Sequence, residues 1–213
     1  MILAIESAST DPSVAVAEAD GEPLVVEGWS GGPGQSRELL PRLLAAVERA
    51  SRQLGDTTAV AVGIGPGSFT GLRVGMSLAK GLAFGLQVPI VGIPSLAAWL
   101  AAEPDARAAL ARAGAHEVFV LVRGTLDPAI VHEDGLPEAI RSEPVAAPEE
   151  LASALALAEG RPPLRAAGSV AALAAERLAG DAPAGDDLRR LEPAYLRMPR
   201  GVRELPAESV KWL

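Results

Sequence analysis

The stretch Ala59-Val60-Ala61-Val62-Gly63-Ile64-Gly65-Pro66-Gly67-Ser68-Phe69-Thr70-Gly71-Leu72-Arg73-Val74-Gly75 sets the architecture of this chain. It opens with a continuous apolar run, residues 59–64, the pattern of a strand buried on both faces of a parallel sheet. Glycines and a proline then break the strand, and Ser68 is placed to cap a helix predicted over 68–86. A second apolar run at 88–93 supplies a parallel neighbour, and a helix follows over about 95–102. Upstream, residues 2–6, 13–18 and 24–29 read as three strands joined by short turns, an antiparallel meander. Between them and Ala59, Leu39, Leu40, Leu43, Leu44 and Val47 recur at helical spacing, so a helix is expected from Ser36 to about Leu54.

The order is therefore βββαβαβα, which folds as a mixed five-stranded sheet with helices on its faces. The second half echoes it more weakly. Strands are expected at 108–113 and 117–123, with a third inside 128–145. A helix at 148–159, a strand at 164–167 and a helix from Gly168-Ser169 to about 179 follow. The loop at 180–187, with Asp181, Asp186 and Asp187 among Pro183 and Gly185, reads as solvated rather than metal-binding. The reading gives an N-terminal subdomain over 1–102, a smaller divergent one over 103–190 and an extended tail over 191–213.

Composition narrows the function. The chain has 213 residues, 49% hydrophobic and 22% charged, a globular profile. Aromatics are only 3%, so the core must rest on Ala, Leu and Val. A net charge of −8 disfavours direct tight binding to nucleic acid. The chain has no cysteine, which excludes disulfides, thiolate metal sites and a Cys nucleophile; His116 and His132 are its only histidines, and they make no helical HxxxH pair. No charged leader precedes an apolar core at the N-terminus, and no apolar run is long enough to cross a membrane, so a soluble cytoplasmic protein is expected.

The glycine-rich turn invites a phosphate-loop reading, but no lysine follows it until Lys80, and its glycine spacing is wrong for a dinucleotide fingerprint. A structural turn and an anion-binding helix start both stay open. The helix behind it is unusual. Gly71, Gly75, Gly81 and Gly85 lie inside it, at a cost of about 0.8–1 kcal/mol each relative to Ala. Gly71, Gly75 and Ala79 form a smooth stripe beside Leu72, Met76 and Ala83, and Arg73, Ser77 and Lys80 make a narrow polar strip. Such a stripe serves either internal packing or a helix-to-helix interface with a second chain.

At the N-terminus, Glu6-Ser7-Ala8-Ser9-Thr10 puts an acid at a strand end before a hydroxyl-rich turn. The actin-like ATPases and sugar kinases present their first phosphate loop in this way. Phosphoryl transfer there also needs an acid at the matching point of the second half. Ala108 to Ala113 offers Arg112 and no carboxylate, and the adenosine-side glycines are reduced to Gly168. Active ATP chemistry is not expected, and Glu6, Ser7, Ser9 and Ser68 remain as a vestigial nucleotide or anion site.

Four blocks together resemble one family. They are ILAIESASTDPSVAVAE at 2–18, QSRELLP at 35–41, AVAVGIGPGSFTGLRVGMSLAKGLA at 59–83 and EPAYLR at 192–197. The chain resembles the TsaB (YeaZ) family of tRNA threonylcarbamoyladenosine synthesis. The resemblance implies an actin-like, ribonuclease H-like α/β fold with two subdomains, the second degenerate. It implies no catalytic or metal-binding residues. It implies a partner subunit that binds TsaD, which carries the chemistry and the tRNA, and works with the ATPase TsaE to modify adenosine 37 of tRNAs reading codons that begin with A. No cofactor of its own is implied, ATP or ADP binding only within the complex.

In that family the helix after GPGSFTG and the one before it form the pairing face, for TsaD or for a homodimer. Carried over, that face comprises Leu39, Leu43, Gly71, Leu72, Arg73, Gly75, Met76, Ala79, Lys80 and Ala83, and Gly75→Leu would block pairing without disturbing the fold. Departures are Glu6 for the usual Asp, Gln35 for His, and ARAGAHEVF at 111–119 for the family's DARRGEVY-like strand pair. The alternative reading is an actin-like small-metabolite kinase or ATPase, with magnesium-dependent ATP turnover lost in Glu6→Ala.

Overall fold

The computed structural model describes residues 1–30, 37–180 and 185–195. The first sheet holds β1 (Ile2–Glu6), β2 (Ser13–Ala17), β3 (Pro23–Gly28), β4 (Ala59–Gly63) and β5 (Ile90–Ile93), in the order β3-β2-β1-β4-β5. β1 pairs antiparallel with β2 and parallel with β4, and β4 pairs parallel with β5. The interleaved helices are α1 (Leu39–Arg49), α2 (Phe69–Leu86) and α3 (Ser95–Ala102).

The second sheet repeats the plan. It contains β6 (Ala108–Arg112), β7 (Glu117–Val122), β8 (Ala129–His132), β9 (Pro144–Ala146) and β10 (Glu159–Arg161), in the order β10-β9-β6-β7-β8. The helices α4 (Glu138–Ser142), α5 (Glu149–Ala154) and α6 (Ala166–Ala179) complete a second βββαβαβα. This doubled plan is the actin-like, ribonuclease H-like architecture expected from the sequence. Degeneracy shows in length, since β9 and β10 have three residues each.

The two faces of the first sheet differ in side-chain size, and this sets the layers. Leu3, Ile5, Val14, Val16, Val60 and Val62 point toward α1 and α2, where they meet Leu39, Leu43, Met76, Ala79 and Ala83. Ile2, Ala4, Ala15, Ala17, Ala59 and Ala61 point the other way, onto Ala167, Val170, Ala171, Ala174 and Ala175 of α6. Alternation at period two produces both faces from the same strands. Alanine against alanine lets the α6 backbone come close to the sheet, so the core needs few aromatics. The second sheet turns Ala109, Ala111, Phe119 and Leu121 toward Leu96, Trp99 and Leu100 of α3. Its other face meets Ile140 of α4 and Leu151 of α5. The layers thus run α1 and α2, first sheet, α3 and α6, second sheet, α4 and α5. α6 follows the second sheet in sequence yet packs on the first.

Several expected boundaries move. α1 ends at Arg49, not near Leu54, because Ser51 takes a left-handed conformation (φ 56°) and 54–56 form a separate 3-10 turn. The expected start at Ser36 lies outside the described residues. The strand expected at 164–167 is instead β10; Pro162 and Pro163 carry no N–H for a ladder, and α6 has begun by Ala166. The helix expected over 148–159 stops at Ala154, with Ala156 at φ 51°. The third strand expected inside 128–145 is β8, and α4 and the start of β9 also fall in that span.

Asp186 is no solvated loop residue. Its N–H donates to Ile90 O at 2.7 Å, and its carboxylate accepts from Gly92 N–H at 2.7 Å and from Arg177 Nη1 at 2.9 Å. This ties residues 185–195 along β5 as a strap. Farther along it, Ala194 N–H donates to Ile64 O and Tyr195 reaches the first turn of α2. Asp181 and residues 196–213 lie outside the described residues.

Candidate functional site

The glycine loop and the N-terminal turn are built into each other. Ser68 caps α2 by accepting from Gly71 N–H at 3.2 Å, and its own N–H donates to Ala8 O at 2.6 Å. The Ser7 hydroxyl donates to Gly71 O at 2.9 Å. A Cβ on Gly67 would collide with Ala8 O, one on Gly71 with Ser7 O, and one on Gly75 with Ser7 Oγ. These glycines exist so that the turn at 7–9 can lie against the start of α2. The space a phosphate would need at this helix start is filled by main chain.

The expected vestigial site is therefore closed. Glu6, Ser7 and Ser9 are buried, and Ser9 Oγ both donates to Asp11 O and accepts from Asp11 N–H, each at 3.1 Å. At the matching end of β6 the strand carries Arg112 in place of an acid, and its guanidinium pairs with Glu133. The residues present do not fit a triphosphate. Among the described residues no three of His, Cys, Asp and Glu are grouped to hold a metal.

Glu6 has another use. Its side chain is fully buried over Gly63, with Oε1 accepting from Ala8 N–H at 2.7 Å. Burial pushes its carboxyl up to about 7, against the weaker opposing pull of the Ala8 N–H, the Ser95 hydroxyl, the Trp99 indole and the Ser7 N–H. Oε2 and Trp99 Nε1 each lack a well-formed hydrogen bond. Glu6 thus sits where β1, β4 and α3 meet. Because the folded chain holds this proton more tightly than the unfolded one, the stability that Glu6 contributes is fully present below pH 4.5 and is lost as pH rises through about 7. The loss amounts to about 3 kcal/mol at about 1.4 kcal/mol per tenfold change. Urea unfolding at pH 5 and pH 8 should show this fall in the native chain and a much smaller one in Glu6→Gln. An equal fall in both would remove Glu6 as its source.

The expected pairing face needs a correction. Of its ten residues, Leu39, Leu43, Gly71, Leu72, Gly75, Met76, Ala79 and Ala83 are buried within the chain's own core, Lys80 is half-buried, and Arg73 is exposed. The stripe 71-75-79 faces inward, so Gly75→Leu would strike Ser7 and disturb the fold. The free face of α2 is offset from it. There Ser77, Gly81, Phe84 and Gly85 are exposed, and a Cβ at Gly81 or Gly85 would meet open space. Phe84 is 75% exposed.

Among the described residues, four of the six exposed large hydrophobics, Leu40 and Leu44 on α1 and Phe69 and Phe84 on α2, lie on the outward side of this helix layer; Leu24 and Leu126 are the other two. Phe69 packs against Tyr195 with ring centroids 5.6 Å apart, and the Arg73 guanidinium lies 4.1 Å over Phe69. The sequence held a signal for this surface. Leu39 and Leu43 recur at one angle and Leu40 and Leu44 at the next, more apolar width than one buried stripe requires.

Known proteins are similar to this chain in sequence over part of its length, and in fold. A family model described as "TsaD: tRNA N6-adenosine threonylcarbamoyltransferase" matches residues 34–154. The tRNA threonylcarbamoyladenosine biosynthesis protein TsaB of Escherichia coli (strain K12) is 39% identical over 61 residues, 29% of this chain and 26% of that protein. Its Haemophilus influenzae counterpart is 41% identical over 63 residues, 30% of this chain and 27% of that protein. The matched segment thus spans about a quarter of the length of these relatives. YeaZ from Pseudomonas aeruginosa shares the fold, with a TM-score of 0.70, 24% identity and coverage of 91% of this chain and 99% of that one. No helix among the described residues is long and apolar enough to cross a membrane.

Proposed function

Since the chain belongs to the family described as TsaD, tRNA N6-adenosine threonylcarbamoyltransferase, and is TsaB-like within it, we propose that it is a non-catalytic partner subunit of a tRNA-modifying complex. Its partner is a TsaD homologue, which supplies the transferase chemistry, and a TsaE homologue joins them. The product is threonylcarbamoylated adenosine 37 in tRNAs reading codons that begin with A. The chain contributes a surface and no reacting group.

The observation that carries this reading is the pairing of a closed loop with an open face. The turn that would cradle phosphates is filled by Ser7, Ala8 and the start of α2. The outward side of α1 and α2 carries exposed apolar side chains that belong to no core cluster among the described residues. Exposed apolar patches of this kind mark protein contacts, and the smooth positions Gly81 and Gly85 let a second backbone approach. With a net charge of −8, the chain is suited to meeting a protein rather than the tRNA backbone.

Reconstitution tests it. Purified chain, TsaD homologue, TsaE homologue, tRNA, ATP, threonine-derived donor and magnesium are combined, and the modified nucleoside is measured by mass spectrometry after digestion. The full mixture should form it, and omission of this chain should lower formation by at least about tenfold, about 1.4 kcal/mol of effective barrier. Formation by this chain alone with tRNA and donor, or an undiminished yield without it, would refute the proposal.

A further inference from the structure

The strap and α2 together fix one cation on the outward helix face. Phe69, Arg73, Ser77, Gly81 and Phe84 recur at helical spacing along α2, and all are exposed. Arg73 is the charged residue among them. Its guanidinium lies over the Phe69 ring, 4.1 Å from the centroid, and its Nε–H donates to the Tyr195 hydroxyl at 3.3 Å. Phe69 and Tyr195 are themselves in contact, with ring centroids 5.6 Å apart. The stack and the hydrogen bond hold the guanidinium in place, and neither Nη group is bonded to a described residue.

Arg42 of α1 supplies a comparison within the same layer. Its guanidinium lies 4.6 Å over the Trp29 ring, yet it is also paired with Glu27 and Glu38, each at 2.6 Å. Arg73 has the stacked ring without the carboxylates. Among the described residues no acid forms an ion pair with it. A protein seated on Phe69 and Phe84 would remove Arg73 from water. A guanidinium buried without an acceptor is strongly unfavourable, so that protein must bring one.

We propose that Arg73 is a preorganised fork for a carboxylate of the docking partner, an Asp or Glu side chain of the TsaD homologue. This rests on the pairing role proposed above and adds the chemistry of its polar contact. The planar fork matches the two oxygens of a carboxylate. The Phe69 stack and the Tyr195 hydroxyl order it before association, so less side-chain freedom is lost on pairing. Its apolar neighbours exclude water once the partner is seated, the setting in which such a pair contributes most. A tRNA backbone is the poorer ligand. It needs several cations along one surface, and α2 offers only Arg73 and the half-buried Lys80 in a chain of net charge −8.

Calorimetry of the TsaD homologue with the native chain and its variants, at low and high sodium chloride, tests this. Arg73→Gln should weaken association at least about 30-fold and flatten its salt dependence. Arg73→Lys keeps the charge and loses the fork, so it should recover only part of the affinity. In Arg73→Lys, carbodiimide should also couple the new amine to an Asp or Glu of the TsaD homologue, read by peptide mass spectrometry. Full affinity in Arg73→Gln alongside a loss in Phe84→Asp would overturn the fork and leave the pairing role standing. No association of the native chain would overturn both. Full recovery in Arg73→Lys would show a plain point charge, and absence of coupling to the partner would remove the carboxylate. Binding of tRNA alone to the native chain, lost in Arg73→Gln, would assign the cation to phosphate. Each of these three results overturns the proposal.

Discussion

Gly71→Ala is expected to destabilise the chain by about 3 kcal/mol, the effect of overpacking against an immovable backbone atom. The added methyl would overlap Ser7 O, which is fixed because Ser7 donates its hydroxyl back to Gly71 O and Ala8 O accepts from Ser68. Neither side can retreat without opening the junction of β1 with α2. Gly85→Ala in the same helix should act oppositely. Its added methyl would meet open space, so it gains about 0.5–1 kcal/mol from helix propensity alone. Melting temperatures should therefore diverge, by a drop on the order of 10 °C for the first and a small rise for the second. Equal effects at both positions would contradict the division of this helix into a locked inner face and a free outer one.

The second large effect concerns binding. Phe84→Asp is expected to weaken association with the TsaD homologue by at least about 100-fold, about 2.7 kcal/mol. Phe84 is the most exposed apolar residue of α2, so its replacement leaves the core intact. The new charge would have to be desolvated against an apolar surface. Gly81→Leu should act in the same direction by bulk, since a Cβ there has room in the isolated chain. Calorimetry with purified partners reads the affinity, and the variants' melting temperatures should stay within a few degrees of the native chain. Undiminished affinity in both variants would place the contact elsewhere.

Much of the fold was legible because its signals are local. The apolar run at 59–64, the capping Ser68 and the short turns of the meander are each readable within a few residues, and β4, α2 and the β1–β3 hairpins follow them. The second half was harder. Pro162 and Pro163 shift the last strand upstream, and three-residue strands such as β9 carry too few side chains to show a period. The candidate site failed differently. Gly71, Gly75 and Ala79 do form a smooth stripe, but periodicity gives the angle of a stripe and not which side the sheet lies on. That depends on Ser7 meeting Gly71, a contact between residues far apart in sequence.

The TsaD homologue is expected to dock on the outward side of α1 and α2. A photo-activated cross-linker placed at position 84 in one variant, and at position 126 on the second half in another, tests this directly. Leu126 is 95% exposed and so is as available as Phe84. On illumination of the mixed proteins, position 84 should cross-link to the TsaD homologue in high yield and position 126 should not. Cross-linking from 126 with none from 84 would contradict this docking face.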